Sequence, residues 1–304
     1  MVFCDLFAGT GRVGRYFKTK VKSVIANDLE FYSYVLIRHY IGNHKNLDIN
    51  KQVDKLNSIK GKKGFVYTNY CKTGSGSRNY FADENGLKID ACRDQIEQWY
   101  NNKDIDTDQY FYLLASLLES ADKVANIASV YGAYLKHIKK SALKPLVIVP
   151  AGYKTTPNKH TVCQQDANAL IQKIEGDILY LDPPYNARQY GSNYHLLNTI
   201  AANQSFVPKG VTGLPNYNRS AYCSKRTVLQ NFEELIAKAN FKYIFLSYNN
   251  EGLMSHLEIE NVLKKYGVVE LRTQNYQRFK ADKTENRNHK ATETKEYLFC
   301  LKKS

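Results

Sequence analysis

Apolar and polar positions along this chain switch between two periods, and their order predicts an α/β fold. The apolar run at residues 2–7 leads into glycines, which predicts a buried strand and a turn, and residues 11–18 then start a helix. Residues 23–30 predict a second strand that ends in an acid, and residues 31–41 predict a second helix. Alternating strands and helices are typical of a parallel sheet with helices on both faces.

This pattern stops in the next part of the chain. Residues 45–107 are rich in Lys, Asn, Gly and Tyr and show little periodicity. An apolar stripe with three-and-four spacing follows at residues 108–140 and predicts a long helix that packs into a core.

Strand patterns return in the second half of the chain. They lie at residues 146–149, 177–185, 242–249, 268–271 and 296–301, and helical patterns lie at 227–240 and 255–266. We therefore expect an α/β core formed by residues 1–44 and 145–304. A mostly helical insertion at residues 45–144 would interrupt it.

The composition adds a class of partner and a compartment. The 304 residues are 43% hydrophobic, which is enough to bury a full core. The formal net charge of +14 suggests a polyanionic partner such as nucleic acid, and a basic but unspecialised surface is the alternative. Six scattered cysteines without a C-x-x-C pair predict neither a zinc site nor disulfides. The chain has no apolar run of membrane-spanning length and no signal-peptide pattern, so we expect a cytoplasmic protein without a membrane partner.

The first strand and its turn predict a nucleotide-like ligand site. Gly9-Thr10-Gly11 follows the strand, and such a turn lets a ligand approach the backbone. Asp28 ends the next strand, 17 residues after Gly11, where nucleotide-binding folds place the acid that binds ribose hydroxyls. The alternative role for Asp28 is a helix N-cap. No third glycine and no G-K-[ST] follow, which favours an adenosine ligand without a pyrophosphate.

The segment Asp182-Pro183-Pro184-Tyr185 predicts the reaction centre. It follows the apolar run ILYL, so it lies at the carboxyl end of a buried strand, where open α/β sheets place their active sites. The Asp182 carboxylate and the Pro183 carbonyl can accept the two hydrogens of a base amino group, and Tyr185 can stack on that base. An incidental Pro-Pro turn is the alternative.

These motifs resemble the adenine-N6 DNA methyltransferases of bacterial restriction–modification systems, over nearly the whole chain. The matching segments are DLFAGTG (5–11), NDLE (27–30), QQDAN (164–168), DPPY (182–185), SYNNEG (247–252) and EYLF (296–299). The resemblance implies a Rossmann-like methyltransferase sheet, S-adenosylmethionine as cofactor and an insertion that recognises the DNA target. It implies cofactor contacts by Asp5, Phe7, Ala8, Gly9, Gly11, Asp28, Leu29, Asp166, Ala167 and Asp182.

Basic and aromatic residues predict a surface for double-stranded DNA, from which the target base would be flipped. In the insertion, Lys60, Lys62, Lys63, Lys72 and Arg78 alternate with Tyr67, Tyr70, Tyr80 and Phe81, and residues 72–81 predict an exposed loop. Further candidates are Arg188, Tyr190, Tyr194, Arg219, Lys225 and Arg226, with Arg278, Lys280, Arg287 and Lys290 in the segment 278–290.

Three alternatives stay open at this point: a ribosomal RNA methyltransferase, a cytosine-N4 methyltransferase and a DNA-binding relative with weak or no catalysis. The insertion argues against the first, Asp182 in place of serine against the second, and the intact DPPY against the third. The resemblance also allows a cognate restriction endonuclease as a partner. The family also carries a segment before the cofactor motif, whereas the first strand here starts at Val2. We therefore expect weak cofactor binding and poor turnover from this chain.

Overall fold

The computed structural model describes residues 1–277 and 293–304, which divide into two compact units. The first unit comprises Met1–Leu29, Asn158–Gln189 and Arg219–Ser304, and the second comprises Glu30–Pro157 and Tyr190–Asn218. The strands are β1 (Val2–Asp5), β2 (Ser23–Asn27), β3 (Thr161–Cys163), β4 (Glu175–Leu181), β5 (Asn240–Asn249), β6 (Gly267–Gln277) and β7 (Glu293–Lys303). The α-helices are α1 (Arg12–Phe17), α2 (Phe31–Ile37), α3 (Asn50–Ser58), α4 (Phe65–Tyr70), α5 (Asp83–Asn101), α6 (Thr107–Lys123), α7 (Ala167–Leu170), α8 (Tyr190–Asn193), α9 (His195–Ala202), α10 (Val228–Lys238) and α11 (His256–Lys264).

The first unit holds a seven-stranded sheet in the order β3-β2-β1-β4-β5-β7-β6. Its first five members pair in parallel, and β7 runs antiparallel to both β5 and β6. The chain therefore moves from β1 outward to β3 and then returns to place β4 on the other side of β1. Ligands of such sheets bind beyond the carboxyl ends of the strands where the direction reverses.

Helices pack on both faces of this sheet because neighbouring strand residues point to opposite sides. Phe3 stacks on Phe17 of α1, with ring centroids 4.2 Å apart. Cys4, the next residue, belongs to a buried cluster with Phe232 and Leu235 of α10. The expected α/β sheet with helices on both faces is thus confirmed.

The division into units differs from the expected division at residues 45–144. Helix α2 belongs to the second unit, because the Tyr32 N–H donates to Asn198 Oδ1 of α9 at 2.8 Å. The Tyr32 ring also stacks on Tyr194, 5.1 Å away. The second unit therefore starts earlier than predicted and includes the segment Tyr190–Asn218, which follows DPPY in the sequence. Its role in target recognition stays a prediction.

The prediction of one long helix at residues 108–140 is wrong beyond Lys123, where α6 ends. The buried Asn126 side chain explains the ending, since it binds the backbone of an irregular segment. Its Nδ2 donates to Asn79 O at 2.8 Å and to Leu135 O at 2.9 Å, and its Oδ1 accepts from Lys139 N–H at 3.0 Å. Helices α3, α4 and α5 lie within residues 45–107 although the sequence there shows little periodicity, in agreement with the expectation of a mostly helical insertion.

The strand predicted at residues 146–149 is wrong as well. Leu146 and Ile148 are buried and the two valines between and after them are exposed, as in a strand. Their N–H groups, however, donate to helix side chains, Leu146 to Asn85 Oδ1 and Ile148 to Asn57 Oδ1, both at 2.8 Å. The edge of the sheet beside β2 is formed by β3. Within the described ranges, no helix is both long enough and apolar enough to cross a membrane.

Candidate active site

The turn after β1 exposes its backbone at Gly9. Gly9 and Gly11 have φ of +52° and +75°, in the left-handed region that favours glycine. The turn is fixed by the Ala8 N–H, which donates to Asn27 O at 2.8 Å, and by the Gly11 N–H, which donates to Ala8 O at 2.7 Å. Apart from Gly9 itself and its two chain neighbours, no atom of the described residues lies within 4 Å of the position that a Gly9 Cβ would take. A ligand can therefore approach this turn closely.

Asp28 lies directly beside the turn. Its Oδ2 accepts a hydrogen bond from the Gly9 N–H at 2.8 Å, which joins the carboxyl end of β2 to the turn after β1. The alternative role of helix N-cap is not the one observed, since the N-cap residue of α2 is Glu30. The acid at the end of β2 and the first glycine of the motif thus form one cluster.

Asn27, for which no separate role was predicted, connects the ends of three strands. This buried side chain donates from Nδ2 to Leu6 O at 3.1 Å and to Gln165 O at 3.0 Å, and its Oδ1 accepts from Gln165 N–H at 3.0 Å. The carboxyl ends of β1, β2 and β3 are thereby held in fixed register. The available signal was its place just before Asp28 in the NDLE motif.

Asp5 is buried beneath the glycine turn, with only 1% of its surface exposed. Its Oδ2 accepts from the Gly14 N–H of α1 at 2.8 Å, so it attaches the helix to β1. Burial raises the pKa of Asp5 to about 7, and the nearby charges of Asp182 and Asp28 add to the increase. The sequence-predicted acids Asp5, Asp28 and Asp182 are therefore brought together.

Asp182 follows β4 and carries an unusual oxygen. Its Oδ1 is buried and has no hydrogen-bond partner within residues 1–277 and 293–304. Burial raises the pKa of Asp182 to about 6, and the charge of Glu296 on β7 contributes to the increase. A buried acceptor without a partner costs free energy, which a proton donor from a ligand can offset. Glu296 is a second residue whose effect sequence reasoning missed.

The end of DPPY is fixed by Tyr248 on β5. The rings of Tyr185 and Tyr248 meet edge to face, 5.8 Å apart at 89°. The Tyr185 carbonyl accepts from the Leu253 N–H at 2.9 Å, and the Tyr248 hydroxyl accepts from the Met254 N–H at 3.2 Å. Pro183 is buried and Pro184 is half-buried. These contacts give the half-buried Tyr185 a defined orientation.

The remaining cofactor candidates lie around α7. Phe7 is half-buried and meets Tyr222 edge to face at 5.0 Å, and the Tyr222 hydroxyl donates to Asn168 Oδ1 at 2.7 Å. Asp166 is exposed and caps α7, because its Oδ1 accepts from the Ala169 N–H at 3.0 Å. Two further candidates show no ligand-facing feature: Ala167 is buried in the core cluster, and Leu29 is half-buried with its carbonyl accepting from Gln164 at 3.3 Å.

Some of the predicted DNA-contacting residues are exposed, and others bind within their own unit, although Lys225 of the second group is also exposed. Lys72 and Tyr190 of the second unit and Arg188, Arg219 and Arg226 of the first unit are exposed. Three others bind within their own unit: Arg78 donates to three backbone carbonyls, Lys225 Nζ donates to Leu253 O at 2.6 Å, and Tyr194 is half-buried between Tyr32 and Tyr190.

Several aromatics expected to contact bases are part of the core of the second unit. Tyr70, Tyr80 and Phe81 are fully buried, so residues 72–81 are an exposed loop only in their first part. Burial of these rings stabilises the unit, and the buried rings do not lie on the surface where a base would bind. The basic residues predicted at 278–290 lie outside the described residues.

Comparison with known proteins agrees with this geometry. The family model described as D12 class N6 adenine-specific DNA methyltransferase matches residues 1–265. The chain is 60% identical to Type II methyltransferase M.NlaIII of Neisseria lactamica, covering 100% of this chain and 91% of that relative. It is 38% identical to Type II methyltransferase M.CviAII of Paramecium bursaria Chlorella virus 1, covering 98% and 89%. It is 39% identical to Type II methyltransferase M.FokI of Planomicrobium okeanokoites, covering 99% of this chain but 48% of that relative.

These matches confirm the family expected from the motifs and favour adenine in DNA over ribosomal RNA and cytosine-N4 as the target. The glycine turn, the acid at the end of β2 and the DPPY segment lie within the matched residues. The chain belongs to the D12 class of N6 adenine-specific DNA methyltransferases.

Proposed function

We propose that this chain transfers a methyl group from S-adenosylmethionine to N6 of an adenine in duplex DNA, as the modification enzyme of a type II restriction–modification system. The observation that carries the proposal is the buried, unpartnered Oδ1 of Asp182 at the carboxyl end of β4. The relatives' names, which read Type II methyltransferase, support the assignment to a restriction–modification system. A cognate restriction endonuclease would be the partner in such a system.

The residues around the glycine turn fit S-adenosylmethionine. When bound, this cofactor supplies an electrophilic methyl group on a sulfonium. Open space beside Gly9 admits a ligand to the backbone, and the half-buried Asp28 offers a carboxylate to ribose hydroxyls. Phe7, which packs against Tyr222, is half-buried and offers an aromatic ring. The residues that would hold the cofactor are Asp5, Phe7, Ala8, Gly9, Gly11, Asp28, Asp166 and Asp182. Leu29 and Ala167 are implied only by the family resemblance.

Asp182 and Pro183 would activate the target nitrogen. The lone pair of the adenine amino group is delocalised into the ring, so the nitrogen is a poor nucleophile. Acceptors on its two N–H groups, Asp182 Oδ1 and the Pro183 carbonyl, would favour a pyramidal nitrogen with a localised lone pair. Because Oδ1 is buried, its hydrogen bond forms in a medium of low dielectric and is stronger than in water. The same oxygen can take the proton that the nitrogen loses.

Tyr185 would hold the base in the site. Base–aromatic stacking contributes roughly 1–3 kcal/mol per base, and it requires a ring of defined orientation. Tyr248 and Leu253 supply that orientation. Since a stacked duplex base cannot reach the reacting methyl group, the adenine would be flipped out of the helix.

The direct test is incorporation of labelled methyl groups by the purified chain into duplex DNA and into ribosomal RNA, followed by mass spectrometry of the nucleosides. We expect N6-methyladenine in DNA, lost in Asp182→Ala and kept in Asp54→Ala, which removes an exposed carboxylate. Methylated cytosine, label in RNA alone, or an Asp182→Ala rate within tenfold of wild type would contradict the proposal.

A further inference from the structure

A short loop of the second unit, residues 207–214, is closed by its own backbone. Lys209 and Leu214 exchange two hydrogen bonds, each of 2.8 Å. Between them, Gly210 and Gly213 adopt φ of +66° and +73°, which lets the chain reverse over four residues. The loop is therefore a small hairpin with a defined backbone.

Arg78 fixes this hairpin from outside. Its Nε donates to Val211 O at 3.0 Å and its Nη2 to Gly210 O at 3.1 Å, and its Nη1 donates to Asn69 O at 3.1 Å. A planar guanidinium with several donors suits such a clamp better than an ammonium does. The guanidinium that the sequence assigned to a DNA contact is thus used to hold the backbone of the loop.

Gly213 and Tyr70 complete the clamp. The buried Tyr70 hydroxyl donates to Gly213 O at 2.6 Å. A Cβ on Gly213 would lie 2.8 Å from Arg78 Nε and 2.9 Å from Tyr70 Cε1, so only glycine allows this close packing. The backbone of the hairpin is held at three carbonyls, those of Gly210, Val211 and Gly213.

The clamp presents an apolar side chain to water. Val211, at the tip, is 79% exposed, although its carbonyl is fixed. Single exposed valines are common on protein surfaces. Burial of the Val211 side chain, however, cannot explain why the backbone of this hairpin is fixed, because that side chain is exposed. A fixed loop loses less conformational entropy when it binds a partner, so the arrangement is suited to recognition.

We propose that the 207–214 loop is a specificity element in which Val211 contacts a base of the DNA site, with Arg78 as its positioning residue. The inference rests on the proposed function, which supplies DNA as the partner. The loop sequence VPKGVTGL contains a lysine and no acid, in a chain of net charge +14, which suits a surface that approaches phosphates. Valine methyl groups suit apolar contact with the C5-methyl group of thymine in the major groove.

The test compares Val211→Ser with Val207→Ser. Val207 is 82% exposed and precedes the Lys209–Leu214 pair, so it is a matched control for loss of exposed apolar surface. The recognition sequence of the wild type is first read by sequencing modified bases. Methylation rates are then measured at that site and at each site that differs by one base pair.

For Val211→Ser we expect the preference for the correct base to fall about fivefold or more at one position of the site, the range expected for loss of a single base contact. Val207→Ser should leave every preference within twofold. Unchanged preferences in Val211→Ser, or equal changes in both variants, would overturn the inference. A wild type that methylates no DNA would instead contradict the proposed function.

Arg78→Lys tests the positioning role, because it keeps the positive charge and removes the planar guanidinium with its several donors. We expect relaxed preference at the same position, and the double variant with Val211→Ser should be no more relaxed than Val211→Ser alone. A purely structural Arg78 would lower the melting temperature and leave the preference unchanged, and that result would refute the positioning role.

Discussion

Replacing Asp182 by asparagine is expected to stabilise the protein while removing most of its activity. Burial, and secondarily the charge of Glu296, raise the pKa of Asp182 from 3.8 to about 6. At pH 8 the carboxylate is therefore ionised in a place where its charge is poorly solvated, and its Oδ1 has no partner among the described residues. Asparagine has nearly the same shape and carries no charge to desolvate.

The sign and size of the effect follow from the proton equilibrium. A native pKa above the unfolded pKa means that the native state holds the proton more tightly. The stabilisation from this group is therefore present below pH 4 and is lost as the pH rises through about 6. The rise of the Asp182 pKa from 3.8 to about 6 corresponds to about 3 kcal/mol. Since the asparagine amide must also be desolvated, we expect Asp182→Asn to raise the free energy of unfolding by about 1–2 kcal/mol at pH 8.

The pH dependence separates this effect from a general change in packing. Protonation of wild-type Asp182 should reduce the advantage of the asparagine variant by about 1.4 kcal/mol between pH 8 and pH 5. Removing the Asp182 charge also lowers the pKa of Asp5, which adds to the gain at pH 8. Urea unfolding followed by circular dichroism at both pH values measures the difference, with Asp54→Asn as an exposed control.

The activity of the Asp182→Asn variant should fall, although its stability rises. Asparagine keeps one oxygen acceptor but lacks the charge, and removal of one preorganised electrostatic group costs roughly 10²–10³-fold in kcat. A variant less stable than wild type at pH 8, or a stability difference that does not change with pH, would refute the assignment of a poorly solvated carboxylate to Asp182.

Three further predictions concern the cofactor, the pH profile and DNA. Asp28→Ala should weaken S-adenosylmethionine binding by roughly 1–3 kcal/mol in calorimetry without changing the methylated sequence. Asp28→Asn should lose less affinity because its amide oxygen can still accept a hydrogen bond from the Gly9 N–H. Equal affinity in wild type and both variants would remove Asp28 from the site. Glu296→Gln should move the acidic limb of kcat/KM to lower pH, since Glu296 raises the pKa of Asp182, and an unmoved limb would show that the two carboxylates do not interact. DNA affinity should fall steeply between 50 and 200 mM salt, by roughly 10³-fold or more if six or more phosphates are neutralised, and a flat dependence would argue against binding through phosphates.

The sheet and the acids of the site could be predicted because they follow from local patterns. Apolar runs that end in glycine, in Asp28 or in Asp182 place these groups at the carboxyl ends of β1, β2 and β4. In a parallel sheet those ends share one edge, so the prediction needed no knowledge of distant contacts. The assignment of individual roles to these residues stays a prediction.

Other features depended on contacts between residues far apart in sequence. The alternation at residues 146–149 was real, but Asn57 and Asn85 satisfy its N–H groups in place of a neighbouring strand. Arg78 looked like a DNA-binding residue because its charge is visible in the sequence, while its carbonyl partners at Gly210 and Val211 are more than 130 positions away. Side-chain bonds to distant backbone leave no periodic signal.

Three carboxylates lie at one edge of the sheet, and one of them, Asp182, departs from the rule that buried charged groups have partners, which the rest of the described fold follows. Burial raises the pKa of both Asp5 and Asp182, and the charges of Asp182 and Asp28 raise the pKa of Asp5 further. Elsewhere in the described chain the buried charged side chains have partners, as Arg93 does with Glu97 and Tyr110. Sites that violate such rules are expected where function requires it. The partner missing from Asp182 Oδ1 is therefore best supplied by a bound proton donor, and the amino group of a flipped adenine has the required chemistry.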